Sequence, residues 1–255
     1  MESLLDPQII VILILFGFLG AFIDSVVGGG GLITLPALMF TGISPASAVA
    51  TNKLASSMGS FSSMLTFARS GQLDMKSIMK LFPLTFFGAM LGAWLVTLMD
   101  PLLLKPLMLV MLVIVLIYTM LNKEWGSISK VKQLSLKHVI LFLFVITFIG
   151  TYDGFLGPGT GSFLMFAFLI IGYDFLKAAG NAKMLNFGSN IGALIMFLFL
   201  GQINFIYGII MGLAQVAGAI VGAKFAIKQG SGYVRVLYII VTIALLSKNA
   251  YDFFF

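Results

Sequence analysis

The chain has 255 residues, of which 60% are hydrophobic and only 9% charged, with 25 Phe and 15 Met. Globular domains carry about 25% charged residues. A soluble fold of this length exposes more surface than so few charges cover, which excludes a soluble enzyme, a nucleic-acid-binding domain and a disordered chain. The net charge of +6 comes from Lys and Arg placed between apolar runs, where they orient a membrane chain and carry no implication of nucleic acid. Cys is absent, so there is no disulfide framework and no thiolate metal site.

The first apolar run covers 8–27. Acidic Glu2 and Asp6 precede it where a signal peptide needs cations, and no Ala-x-Ala site follows, so it is expected to be a retained span. Further runs cover 32–41, 45–68, 77–99 and 102–121, then a lysine-bearing linker covers 122–137. The runs 138–156, 162–171, 175–200, 203–226 and 234–252 complete the chain. Most reach the ~20 residues that span a bilayer. The runs 32–41 and 162–171 are too short, and each follows a glycine cluster: Gly28 to Gly31, and Gly157-Pro158-Gly159-Thr160-Gly161.

The coincidence reflects an internal repeat. A shift of 130 residues pairs Gly31 with Gly161, Gly42 with Gly172, Lys53 with Lys183 and Gly71-Gln72 with Gly201-Gln202. The same register pairs Gly88 and Gly92 with Gly218 and Gly222. A one-residue slip at the glycine cluster brings Asp24 opposite Asp153. Equivalent loops carry opposite charge bias. The segment 69–80 holds Arg69, Lys76 and Lys80, whereas its mate at 201–204 has no cation; the turn 224–235 holds Lys224, Lys228 and Arg235, whereas its mate has Lys105 and Asp100. The positive-inside rule therefore predicts that the halves are inverted.

The expected fold is an all-α integral membrane protein of two inverted repeats. Each half, 1–121 and 138–255, has about five hydrophobic segments: a broken hairpin and three spans. The linker 122–137 is cytoplasmic and both termini lie outside. Whether the short runs cross fully or re-enter is left open.

Paired glycine-interrupted segments in inverted repeats point to a transporter site. Backbone amides freed at a helix break cannot face lipid and are tolerated against protein or a water-filled cavity, where helix N-termini favour an anion. The competing reading is that the glycines merely permit a tight turn and close helix crossing. Lys53 and Lys183 lie deep in their runs, where a cation is costly, and a lysine is a compact partner for an oxyanion. Thr51, Asn52, Ser56, Ser57 and Ser60 surround the first; Asn181, Asn186, Ser189 and Asn190 surround the second. The alternatives are snorkelling or carboxylate pairing for the lysines and interhelical glue for the Ser and Asn residues. Asp24 and Asp153 are candidates for counter-charge or proton coupling, with backbone capping as the alternative.

The substrate-binding set is therefore Lys53, Lys183, Asn52, Thr51, Asn181, Asn186, Ser57, Gly30, Gly31, Gly159, Thr160 and Gly161. Gly88-x-x-x-Gly92 and Gly218-x-x-x-Gly222 are close-packing motifs that fit contact within one chain or a homodimer face. His138 reads as an interfacial anchor, and Asp174 with Lys177 as a local pair. No metal-ligand set, cofactor motif or nucleophile–base set is present. No metal, cofactor, catalytic residue or enzymatic activity is expected, and the partners are a small anion and membrane lipid.

At these residues the sequence resembles the TauE/SafE family of sulfite exporters. The resemblance lies in the glycine run, Leu35-Pro36 and Ala50-Thr51-Asn52-Lys53 of the first half. In the second it lies in Tyr152-Asp153-Gly154-Phe155-Leu156-Gly157-Pro158-Gly159-Thr160-Gly161-Ser162-Phe163. It extends over nearly the whole chain. It implies a secondary transporter of the bacterial inner membrane that exports small sulfur-containing anions such as sulfite or organosulfonates. A passive anion channel is the alternative. The second half reads Asn181-Ala182-Lys183 where the first reads Thr51-Asn52-Lys53, so the half-sites are expected to be chemically unequal.

Overall fold

A computed structural model of the chain describes residues 6–96 and 135–254. Among these residues every regular element is helical. The order is α1 (Pro7–Val27), α2 (Gly31–Phe40), α3 (Pro45–Arg69), α4 (Met75–Ile78), α5 (Phe82–Leu95), α6 (Leu136–Phe155), α7 (Thr160–Ile170), α8 (Phe175–Phe199) and α9 (Phe205–Phe254). The helices α1, α6 and α8 and the stretch Phe205–Gly230 of α9 are long and apolar enough to cross a membrane. The large side chains they leave exposed are apolar, among them Val11, Leu15, Phe144, Phe199 and Leu213, as lipid contact requires. The protein is an all-α, multi-pass membrane protein. The run 102–121 and most of the linker 122–137 lie outside the described residues.

Local chemistry sets most boundaries. Asp6 accepts from the Gln8 amide at 2.8 Å and Ser44 from the Ser47 amide at 3.2 Å, each followed by a proline at the first helical turn; that is the N-cap arrangement. The expected pair of Asp174 and Lys177 is met as a cap, the Lys177 amide donating to Asp174 Oδ1 at 2.9 Å. The run 77–99 departs from a single span. It breaks into α4 and α5, because Pro83 in the first turn of α5 makes that helix start afresh. The runs 203–226 and 234–252 fall in one element interrupted at Gly230, whose φ is 79°.

Several positions related by the sequence repeat share backbone conformation. The left-handed glycines Gly42 and Gly172, and Gly71 and Gly201, stand 130 residues apart in turns. The two halves interlock: α1 packs on α9, α6 packs on α5, and α3 and α8 meet between them. The glycine motifs lie in these contacts. A Cβ at Gly88 would stand 2.8 Å from the Thr147 carbonyl oxygen, and one at Gly92 would overlap the Thr151 carbonyl oxygen. Gly218 and Gly222 meet the carbonyls of Phe18 and Phe22 in the same way. Both motifs are thus used within one chain. His138 is exposed at the start of α6, its Nδ1 2.6 Å from Ser135 Oγ.

Candidate functional site

The breaks between α1 and α2 and between α6 and α7 meet inside the bundle. Gly28 (φ 82°) and Gly159 (φ 86°) adopt conformations that disfavour L side chains. A Cβ at Gly28 would overlap the Ser162 amide nitrogen, and one at Gly161 would stand 2.8 Å from Gly28 Cα. Ser162 Oγ donates to the Val27 carbonyl at 3.0 Å, joining the breaks. Within the second break, Tyr152 Oη donates to the Pro158 carbonyl at 2.7 Å and Thr160 Oγ1 to that of Gly157 at 2.8 Å. The glycines therefore permit close backbone approach, and Gly29, Gly30, Gly31, Gly157, Gly159 and Gly161 also line a cavity.

Lys53 on α3 and Lys183 on α8 are 2% and 1% exposed. A buried ammonium survives as a charge only when it is paired. Lys53 Nζ donates to Asp153 Oδ1 at 2.8 Å, and Lys183 Nζ to Asp24 Oδ2 at 2.5 Å. The pairing is crossed: each lysine takes the carboxylate of the other half. The two pairs also differ in access. Asp153 is buried and further holds Ser189 Oγ at 2.5 Å and Asn186 Nδ2 at 3.4 Å. Asp24 has a side chain 24% exposed and accepts from the Gly30 amide at 3.2 Å. The two carboxylates thus differ in their surroundings.

These groups surround a cavity of about 30 Å³. Its lining takes in Asp24, Asn52, Lys53, Asp153 and Asn186, with Gly30, Gly31, Gly159, Thr160 and Gly161. Lys183 is not among the lining residues; it stands behind two that are, pairing with Asp24 and lying 3.3 Å from where a Cβ on Gly161 would stand. Lys53, Ser56 and Ser60, like Lys183, Asn186 and Asn190, recur at helical spacing, which explains the shared face. Lys53 Nζ also donates to Asn190 Oδ1 at 3.3 Å, and Asn190 Nδ2 donates to Ser60 Oγ at 3.4 Å.

Three residues of the expected set are placed elsewhere. Ser57 Oγ turns back onto the Lys53 carbonyl at 2.7 Å. Thr51 Oγ1 accepts from the Asn204 amide and Asn181 Oδ1 from the Asp74 amide, both at 3.0 Å. Asn204 and Asp74 are themselves helix caps, accepting from Tyr207 and Ser77. Thr51 and Asn181 therefore clamp equivalent loops. Beside one clamp, burial and then the Asp74 carboxylate hold the Tyr173 phenol above its ordinary pKa. Thr51→Ala and Asn181→Ala are expected to cost about 1 kcal/mol of stability each, measured by melting in detergent.

Gln215 on α9 belongs to the site although sequence reasoning misses it. It is 3% exposed and lines the cavity. Its Nε2, with Asn52 Oδ1, is among the buried polar atoms without a hydrogen-bond partner in the described residues. Such groups are costly inside a bilayer unless a ligand uses them. An amide deep within the apolar run 203–226, far from Asn204 at its start, is the signal that could have found it. Among the described residues no cluster of His, Cys, Asp or Glu could hold a metal ion.

The all-helical membrane architecture agrees with comparisons to known proteins. A profile of the family described as Sulfite exporter TauE/SafE matches residues 13–248. A "Probable membrane transporter protein ORF9" of Sinorhizobium is 38% identical over 246 residues, covering 96% of this chain and 94% of its own. A "Probable membrane transporter protein" of Haemophilus influenzae is 35% identical, covering 96% of each chain. The Escherichia coli K12 protein "Probable membrane transporter protein YfcA" is 34% identical over 98% of this chain and 92% of its own. No solved structure matches. On the profile match and these relatives, the chain belongs to the Sulfite exporter TauE/SafE family.

Proposed function

We propose that this protein is a secondary transporter that carries small sulfur-containing anions, such as sulfite or an organosulfonate, through the cavity between its two helix breaks. The observation that carries the reading is the pair of buried lysines, each neutralised by a carboxylate from the other half. A cavity of about 30 Å³ accepts a water-sized group. A polyatomic oxyanion enters only if a lysine exchanges its carboxylate for the ligand. The exchange keeps the ammonium paired, so it avoids the cost of about 3–5 kcal/mol for stranding a buried charge. Asn52, Asn186 and Gln215 then supply neutral hydrogen bonds.

Charge conservation adds a proton. Two ammonium groups and two carboxylates sum to zero, so a bound monoanion leaves one negative charge in a poorly solvated site. Protonating the displaced carboxylate restores neutrality. Asp24 is the better placed carrier, being partly exposed where Asp153 is buried among three donors. Anion and proton then move together, and the two interlocked halves expose the site alternately. The crossed ion pairs and the recurring turn glycines fit an inverted relation between the halves. Lysines and arginines gathered at 69–80, 122–137 and 224–235 fit a cytoplasmic placement of those segments in the inner membrane, with both termini outside.

Uptake into proteoliposomes across sulfite, sulfonates, sulfate and carboxylates tests the assignment. Sulfite or a sulfonate is expected to be preferred, and uptake is expected to rise when the outside is acidified. Asp24→Asn is expected to keep downhill flux and lose the acid stimulation. Flux that follows membrane potential alone in the wild type would identify a passive channel, and no flux of any anion would end the transport reading.

A further inference from the structure

Outside the transport site, α3 and α9 form a second cavity of about 540 Å³. Its walls are two facing stripes of the same grading. Phe61, Leu65 and Arg69 recur every four residues along α3, and Ile220, Lys224 and Lys228 do so along α9. Each stripe is apolar first and basic at its end, and the basic ends lie in one cavity. The hydroxyls between them are occupied: Ser62 Oγ donates to the Met58 carbonyl, Thr66 Oγ1 to that of Ser62 and Ser70 Oγ to that of Phe67. The salt bridges among the described residues are those of Lys53 and Lys183. Arg69, Lys224 and Lys228 therefore have no carboxylate partner there.

We infer that this groove is a binding site for an anionic phospholipid, with the phosphate held by Arg69, Lys224 and Lys228 and an acyl chain lying along Phe61, Leu65 and Ile220. Groove and lipid are complementary in charge and polarity along one axis. A free phosphate would leave the apolar walls uncovered, and a zwitterionic lipid carries an ammonium that the three cations repel. Basic pockets between membrane helices select anionic headgroups on these grounds. The site is separate from the transport cavity and stands whether or not that reading holds.

The test is native mass spectrometry of the purified full chain with phosphatidylglycerol or phosphatidylcholine of matched acyl chains. Phosphatidylglycerol is expected to be retained roughly ten-fold more strongly, since each surface cation adds to anionic-lipid affinity. The variant Arg69→Gln/Lys224→Gln/Lys228→Gln is expected to lose that preference, while Lys76→Gln/Lys80→Gln, which removes two cations outside the groove, keeps it. Leu65→Trp, which fills the apolar wall and leaves every charge in place, is expected to lower retention of both lipids and keeps the inference testable if the triple variant fails to insert. Equal retention of the two lipids, displacement of phosphatidylglycerol by inorganic phosphate alone, or a dimer that Leu65→Trp dissociates would each overturn it.

Discussion

Replacing Lys53 by Ala will abolish anion flux and will also destabilise the protein. Lys53 is the ammonium partner of Asp153, and both are 2% exposed. Removing one member of a buried pair leaves the other uncompensated, at a cost of about 3–5 kcal/mol. Ser189 and Asn186 still donate to Asp153, but neutral donors do not replace the charge. The double variant Lys53→Ala/Asp153→Asn separates the two effects. It removes both charges, so melting in detergent is expected to recover most of the loss, while flux in proteoliposomes stays absent. Recovery of flux with recovery of stability would assign Lys53 a structural role alone.

The second large effect is expected at Gly161. Ala in a helix interior is ordinarily favoured over Gly by roughly 1 kcal/mol. At Gly161 the added methyl would stand 2.8 Å from Gly28 Cα, 3.2 Å from Asp24 Oδ1 and 3.3 Å from Lys183 Nζ. The first of these is backbone and cannot yield cheaply, so the two helix breaks must separate. Gly161→Ala is expected to lower flux at least about ten-fold, since sub-ångström to ångström displacement at a site has that scale of consequence. Gly232 supplies the control, because it lies in helix α9 and a methyl added there would meet nothing within 4 Å. Gly232→Ala is expected to leave flux unchanged and to raise stability slightly. Equal flux in the two variants would show that the contact between the breaks is not needed for transport.

Particular residues explain how much of the site is legible in the sequence. A lysine deep in an apolar run is so costly that Lys53 and Lys183 stand out at once, and their repeat relation supplies Asp24 and Asp153. Which lysine meets which carboxylate is not legible, since crossing depends on how α3 and α8 pack. Adjacency to the lysines draws Thr51 and Asn181 into the expected set. On a helix, however, neighbouring positions point in different directions, and these two face the loops before α4 and α9. Gln215 escapes notice for the converse reason: it has no polar neighbours in sequence, and only the tertiary fold brings it to the cavity. The break before α5 follows from Pro83, a local signal that the continuous apolarity of 77–99 conceals.

Anion binding by buried lysines that release their carboxylates is the step on which the proposed transport depends. Sulfite uptake by wild type and Lys183→Ala, compared at matched protein in proteoliposomes, tests it most directly. Uptake by the wild type and none by the variant is the expected result; wild-type uptake by Lys183→Ala would contradict it.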